Sequence, residues 1–207
     1  GPDRYPKVVE VLRRASAQRL TSVLADFDSA YFPENDPTHL ASPHRAFVEI
    51  MKGCDNHCSY CIVPTVRGGE VSRSFDDVTG EVARLAGEGV KEITLLGQNV
   101  NSYRSEAIRF PELLAAVGTT EGLERVRFYT SHPKDLSDEL IEVMAAVPSI
   151  CAFLHLPVQS GSTEILRRMN RRYTAAYYQE LVEKLRGFVP DIAITTEQRA
   201  LLLDILE

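Results

Sequence analysis

"RAFVEIMKGCDNHCSYCIVP", residues 45–64, joins a strand to a metal-binding pattern. Its first half, "RAFVEIMKG" (45–53), reads as a β-strand. Its second half sets three cysteines, Cys54, Cys58 and Cys61, within eight residues, with three and then two residues between them. Cysteines this close along the chain are too crowded for an ordinary disulfide staple. As thiolate ligands they leave one coordination position unfilled, because no fourth cysteine is near. The remaining cysteine, Cys151, lies in the apolar run "SICAFLHLPV" and reads as a lone buried thiol.

The pattern around this stretch is a rhythm of strands and helices. Helices are expected at 6–17, 74–89, 109–118, 135–148, 160–170 and 173–188. Ser74 or Asp76 caps the second of them, Gly87 or Gly89 lies near its end, and Ser137 caps the fourth. Strands are expected at 45–53, 90–97, 123–131, 149–160 and 190–196. Alternation at this spacing implies a parallel sheet with right-handed crossovers. With no Gly-rich dinucleotide signature, the α/β class resolves to an open, partial β/α barrel in preference to a doubly wound sheet. In such folds reactive groups gather on the loops after the carboxyl ends of strands. The three cysteines follow the first strand, so they fall at that mouth. Residues 1–44 read as a helical and irregular lead-in, 45–196 as the barrel core and 197–207 as a short helical tail.

Composition sets outer limits. The 207 residues are 44% hydrophobic and 25% charged with a net charge of −6. That is enough for one core, and any nucleic-acid contact must be a local patch. There is no apolar run long enough to span a membrane and no signal-peptide core, so a cytoplasmic, reducing setting is expected.

Chemistry narrows the triplet. A structural zinc ion needs four ligands, which His57, His44 or His39 would have to complete. A redox pair built from "CSYC" would leave Cys54 idle. A [4Fe-4S] cluster usually takes four cysteines. With three, one iron stays open to a chelating amine and carboxylate. C-x3-C-x2-C with an aromatic residue, Tyr60, before the last cysteine resembles the signature of the radical S-adenosylmethionine superfamily. That resemblance implies one-electron cleavage of S-adenosylmethionine to a 5′-deoxyadenosyl radical, which abstracts hydrogen from an unactivated carbon.

Within the superfamily, "GCDNHCSYCIVPTVRGGEVSRS", "ITLLGQNVNSY", "FYTSHPKDLSDELIEVM" and "HLPVQSGSTEILRRMNRRYT" resemble the methylthiotransferase family over about residues 45–196. "GQNVNSY" and "HLPVQSGS" are similar to its MiaB branch. The resemblance implies a tRNA substrate carrying N(6)-dimethylallyladenosine beside the anticodon, methylthiolated at position 2. Two S-adenosylmethionine molecules and an electron donor such as flavodoxin or ferredoxin are implied with it. Cys54, Cys58 and Cys61 would hold the cluster. Tyr60, Gly97, Gln98, Asn99, Ser131, His132, Gln159 and Ser160 would meet S-adenosylmethionine, or else order the mouth as turns and caps. Arg167, Arg168, Arg171 and Arg172 would grip tRNA phosphates, or else form a solvated helix face.

Both ends depart from the family. Its members begin with a domain whose three cysteines hold a second [4Fe-4S] cluster, and they end in a small RNA-binding barrel. Here no cysteine precedes Cys54, and a leucine-rich "EQRALLLDILE" follows the fifth strand. The expectation is a catalytic-core fragment. The alternatives are methylthiolation of another adenosine or of a ribosomal protein, and a non-catalytic metal-binding module.

Overall fold

A computed structural model describes residues 7–18, 32 and 42–196. Of the lead-in only residues 7–18, Phe32 and 42–44 are therefore described, and the expected tail helix lies outside the described residues. In chain order the elements are α1 (Val8–Gln18), β1 (Arg45–Glu49), β2 (Met51–Lys52), α2 (Val63–Arg67), β3 (Val71–Ser72), α3 (Phe75–Gly87) and β4 (Glu92–Leu96). There follow β5 (Arg104–Ser105), β6 (Ile108–Arg109), α4 (Phe110–Gly118), β7 (Arg125–Tyr129), α5 (Asp138–Ala146), β8 (Phe153–His155), α6 (Thr163–Arg168), α7 (Ala175–Phe188) and β9 (Ala193–Thr195).

The main strands run parallel and in chain order. β1 pairs with β4, β4 with β7, and β8 with β9. A parallel bridge from Val126 to Ile150 joins the two groups. A doubly wound sheet reverses its strand order at a switch point. Here nothing reverses, which is barrel topology left open. Register explains the two faces. Ala46, Ile93 and Val126 lie side by side, as do Val48, Leu95 and Phe128. All six are buried with Val78, Val82 and Leu85 of α3, Leu113, Leu114 and Val117 of α4, Leu140 of α5 and Leu185 of α7. Phe128 meets Phe110 edge to face, with ring centroids 5.2 Å apart, a geometry worth about 0.5–1.5 kcal/mol beyond area burial. The intervening residues Phe47, Thr94 and Arg127, then Glu49, Leu96 and Tyr129, occupy the opposite face.

Helix ends are written locally. The Ser74 hydroxyl accepts from Asp77 N–H, Ser137 from Leu140 N–H and Thr174 from Tyr177 N–H, at 3.1, 3.3 and 3.1 Å. Each satisfies a first-turn donor that the helix cannot.

The structure differs from expectation in several strands and loops, and a short helix, α2, stands at Val63–Arg67 where none was expected. The first strand breaks at Ile50: β1 joins the main sheet, while β2 turns away to pair antiparallel with β3. That small ladder closes the base of a loop running from 53 to 70. The fourth strand shrinks to Phe153–His155, because Pro157 has no N–H to continue a ladder. Between β4 and α4 a two-stranded ribbon, β5 with β6, stands where no element was expected. Cys151 is only half-buried, its N–H bonded to Val126 O at 3.0 Å, so the buried-thiol reading is corrected.

Candidate functional site

The cysteine loop is fixed at several points. Gly53 opens it with φ +74°, and a Cβ there would lie 1.9 Å from the Gly69 carbonyl oxygen, so only glycine fits. Its N–H donates to Gln98 Oε1 at 2.6 Å, which ties the loop to the end of β4. Cys54 N–H bonds Gly68 O at 3.1 Å. On the far side the loop is held by the segment after α6. Ser59 N–H bonds Met169 O at 3.2 Å, the Ser59 hydroxyl donates to Arg168 O at 3.0 Å, and Asn170 Nδ2 donates to His57 O at 2.7 Å.

This loop closes one side of a cavity of about 380 Å³. Cys54, Cys58 and Cys61 all line it, and all three are free thiols. Of the residues expected around S-adenosylmethionine, Tyr60, Gly97, Gln98, Asn99, Ser131, His132 and Gln159 line it too. They come from the loops after β1, β4, β7 and β8. Ser160 does not line it; its hydroxyl accepts from Ser162 N–H at 3.1 Å, a turn-capping role. Gln98 reaches the cavity while its side-chain oxygen is committed to Gly53. Tyr60 is 52% exposed, at the rim.

Two buried polar atoms on the wall have no protein partner. Asn99 donates through Nδ2 to Asp135 Oδ2 at 2.7 Å, and Lys134 Nζ fixes that carboxylate at 2.6 and 2.7 Å. This clamp leaves Asn99 Oδ1 unsatisfied, and Ser131 Oγ is likewise unpartnered. Orphaned buried acceptors and hydroxyls cost roughly 1–3 kcal/mol each unless a ligand or water completes them.

Electrostatics follow from burial. Burial pushes the Cys54 thiol up, against the pull of Asn56, whose N–H lies 3.4 Å from the sulfur. A cation at the thiolate reverses that logic, since metal ligation requires deprotonation. His132 is pushed down to about 3, first by burial and then by the nearby Arg171 charge. Its Nδ1 accepts from Lys134 N–H at 3.2 Å, so the neutral ring carries its proton on Nε2.

Arg171 corrects one expectation. It is 5% exposed and belongs to the cavity wall, not to a surface patch. Arg167 and Arg168 are exposed and both pair with Glu164, and Arg172 is exposed as well. Asn56, Val63, Thr130 and Pro157 complete the lining and were not anticipated. Pro157 and Thr130 lie in the same sequence blocks as expected residues, whereas Val63 carries no chemical signal. Among the described residues, no three His, Cys, Asp or Glu side chains converge as ligands of a single metal ion do. His57 and His44 are exposed, and His39 lies outside the described residues. A cluster of several irons takes each thiolate on a different iron, so three cysteines on one wall, without convergence, fit it.

Comparison with known proteins agrees with this geometry. The profile of the Radical SAM superfamily matches residues 48–197. A tRNA-2-methylthio-N(6)-dimethylallyladenosine synthase of Caldicellulosiruptor saccharolyticus is 52% identical over 200 residues, covering 95% of this chain and 42% of that protein. One of the same name from Myxococcus xanthus is 49% identical over 200 residues, covering 95% and 43%. The chain thus spans less than half the length of these curated relatives. Among solved structures, the radical S-adenosylmethionine methyltransferase TsrM of Kitasatospora setae, with cobalamin and a [4Fe-4S] cluster bound, superposes with a TM-score of 0.57 at 18% identity, over 72% of this chain and 29% of that one. The cobalamin-dependent enzyme OxsB, with aqua-cobalamin and S-adenosylmethionine bound, gives 0.58 at 13% identity, over 72% and 23%. At those identities the likeness is one of fold, and it supports the partial barrel.

Proposed function

The chain belongs to the radical S-adenosylmethionine superfamily, and from that premise we propose that it is the catalytic core of a tRNA methylthiotransferase acting at position 2 of N(6)-dimethylallyladenosine beside the anticodon. The observation that carries the proposal is the single cavity that gathers three free cysteines with two unsatisfied buried polar atoms.

Cys54, Cys58 and Cys61 would hold a [4Fe-4S] cluster. Bound together, the cluster and S-adenosylmethionine supply the one-electron chemistry that makes an unactivated C–H bond reactive. The protein's own residues bind, orient and exclude water. Gln98 sets the cysteine loop against β4 through Gly53. Asn99 Oδ1 and Ser131 Oγ offer an acceptor and a hydroxyl suited to the amine, carboxylate or ribose of the cofactor. Tyr60 stands at the rim for the adenine, and Gln159, held at φ +68°, is part of the same lining. His132 stays neutral at physiological pH, so it offers a hydrogen-bond donor without adding charge. The face of the sheet away from the helices carries Tyr129 and Phe153, edge to face at 5.7 Å, an aromatic surface on which an extruded base can stack.

Residues 45–196 form the core of this function, with the flanking stretches belonging to neighbouring parts of a longer protein. The second cluster and the main RNA-binding surface reside in such parts. Arg167, Arg168 and Arg172 add tRNA phosphate contacts at the exposed end of α6. A flavodoxin or ferredoxin supplies the electron. No described helix is long and apolar enough to cross a membrane.

The test is anaerobic reconstitution with iron and sulfide. About four irons per chain, 5′-deoxyadenosine from S-adenosylmethionine, and methylthiolated tRNA only from the longer protein are expected. Zinc in place of iron, or a loaded cluster that leaves S-adenosylmethionine intact, would reject the proposal and favour a binding module.

A further inference from the structure

Arg171 is a buried cation with no carboxylate partner among the described residues. Its Nε donates to Tyr173 Oη at 3.1 Å, its Nη2 to Pro157 O at 3.4 Å, and its Nη1 to Cys58 Sγ at 3.5 Å. Its guanidinium also lies 5.3 Å from the Tyr173 ring centroid. Among the described ion pairs none includes Arg171. Taking a guanidinium out of water costs several kcal/mol unless hydrogen bonds or a counter-charge offset it, and here the offsetting partners are a phenol, a carbonyl and the Cys58 sulfur.

The backbone is shaped to deliver this group. Asn170 and Arg172, on either side of it, hold φ of +57° and +56°. At Asn170, which follows the α6 C-cap Met169, a left-handed residue is a common helix ending; at Arg172 it costs of order 1–3 kcal/mol and persists only where the surroundings enforce it. Here Asn170 is pinned to His57 O, Met169 O receives Ser59 N–H, and Arg171 N–H bonds Leu166 O at 3.0 Å. The segment that presents Arg171 is thus tied directly to the loop that presents Cys58.

We propose that Arg171 is a positioning residue whose guanidinium is the fixed counter-charge of the Cys58 corner of the cluster, and that it sets the ease with which the cluster accepts an electron. This rests on the proposed function, because it requires the cysteines to hold an anionic cluster. Cluster potentials respond to net charge and to hydrogen bonds at sulfur. Reduction adds one negative charge, so a neighbouring cation stabilises the reduced form more than the oxidised form. Tyr173 acts one step further out: its hydroxyl accepts from Arg171 and donates to Val158 O at 2.8 Å, which keeps the guanidinium aimed at sulfur.

The experiment compares anaerobically reconstituted wild type with Arg171→Gln, Arg171→Lys and the exposed control Arg168→Gln. Iron and sulfide are counted, folding is followed by circular dichroism, and the cluster is titrated electrochemically with EPR detection, without S-adenosylmethionine. Arg171→Gln should lower the reduced-to-oxidised ratio at fixed potential about tenfold, which is a shift of about 59 mV to more negative values for a one-electron couple. Arg171→Lys should shift less and Arg168→Gln not at all. A folded Arg171→Gln that keeps no iron, beside an Arg171→Lys that does, also supports the counter-charge. Equal potentials in wild type and Arg171→Gln overturn it. So does an unchanged potential with weakened S-adenosylmethionine binding, which would give the guanidinium to the cofactor carboxylate. Loss of iron in both Arg171 variants would reduce it to a packing residue. A wild type that takes up no iron sinks the proposed function itself, and this with it; a loaded wild type with an indifferent Arg171→Gln sinks this alone.

Discussion

Two arginines are buried to the same depth in this molecule, and they are treated differently. Arg73, between β3 and α3, places Nη1 2.6 Å from Glu81 Oε2, with both side chains about 5% exposed or less. It also donates to Glu49 O at 3.1 Å. Its charge is cancelled within the fold, so the pair braces α3 against the ribbon that closes the cysteine loop. Arg171 is as buried, yet it faces a sulfur, a phenol and a carbonyl. The fold neutralises one buried cation within itself, whereas among the described residues the other has no carboxylate partner. The same contrast separates two asparagine atoms on one side chain: Asn99 Nδ2 is satisfied by Asp135, while Oδ1 is buried without a protein partner.

The contrast breaks first at the cysteines. Cys54→Ser, Cys58→Ser or Cys61→Ser should each abolish cluster uptake, read as loss of iron and of the visible thiolate–iron absorption. Retention of a full complement by any one of them would remove the premise. Next comes Glu81→Gln, which strands Arg73 as an uncompensated charge. Stability should fall by about 3–5 kcal/mol in urea denaturation, while the potential of any cluster still assembled stays where it was. A shift in that potential would erase the distinction between the two arginines.

A smaller effect sharpens the electrostatics around Arg171. His132 is held near 3, below the value of 6.5 it has in an unfolded chain. As pH falls, the unfolded chain therefore takes up this proton first. Stability from this group is complete above about pH 6.5 and declines toward pH 3, by at most about 1.4 kcal/mol per pH unit. His132→Gln should flatten the stability–pH curve in that window relative to wild type. An unchanged curve would mean that His132 is not desolvated beside Arg171. Smallest of all, Arg167→Gln or Arg168→Gln should change stability by less than about 1 kcal/mol, because both pairs with Glu164 are solvent-exposed. In the longer protein each should lower the salt dependence of tRNA binding by about one phosphate contact. No change in that slope would leave them as a solvated face.

Much of the fold was legible because its instructions are local. Apolar periodicity announced α3, α4, α5 and α7, and Ser74, Ser137 and Thr174 sit where their hydroxyls can cap. The β5–β6 ribbon was not legible: two residues per strand leave no period to read. In the site, the expected strand-end residues line one cavity because barrel topology sends those ends to one mouth. For Ser160 the capping alternative holds, since it adjoins Gln159 yet turns its hydroxyl to Ser162. Arg171 was misjudged because four arginines in seven residues look alike in sequence, and only the left-handed turns at Asn170 and Arg172 single one out.

Spacing within the chain was enough to set three cysteines together and to lay out a succession of strand and helix, since both depend on neighbours a few residues apart. Packing decided what those elements bring together. Arg171 meets Cys58 across 113 residues of chain, and Gln98 reaches Gly53 across 45. Such contacts have no periodic signature, because they arise only when the helices close over the sheet and fix the loops at its carboxyl edge in one arrangement.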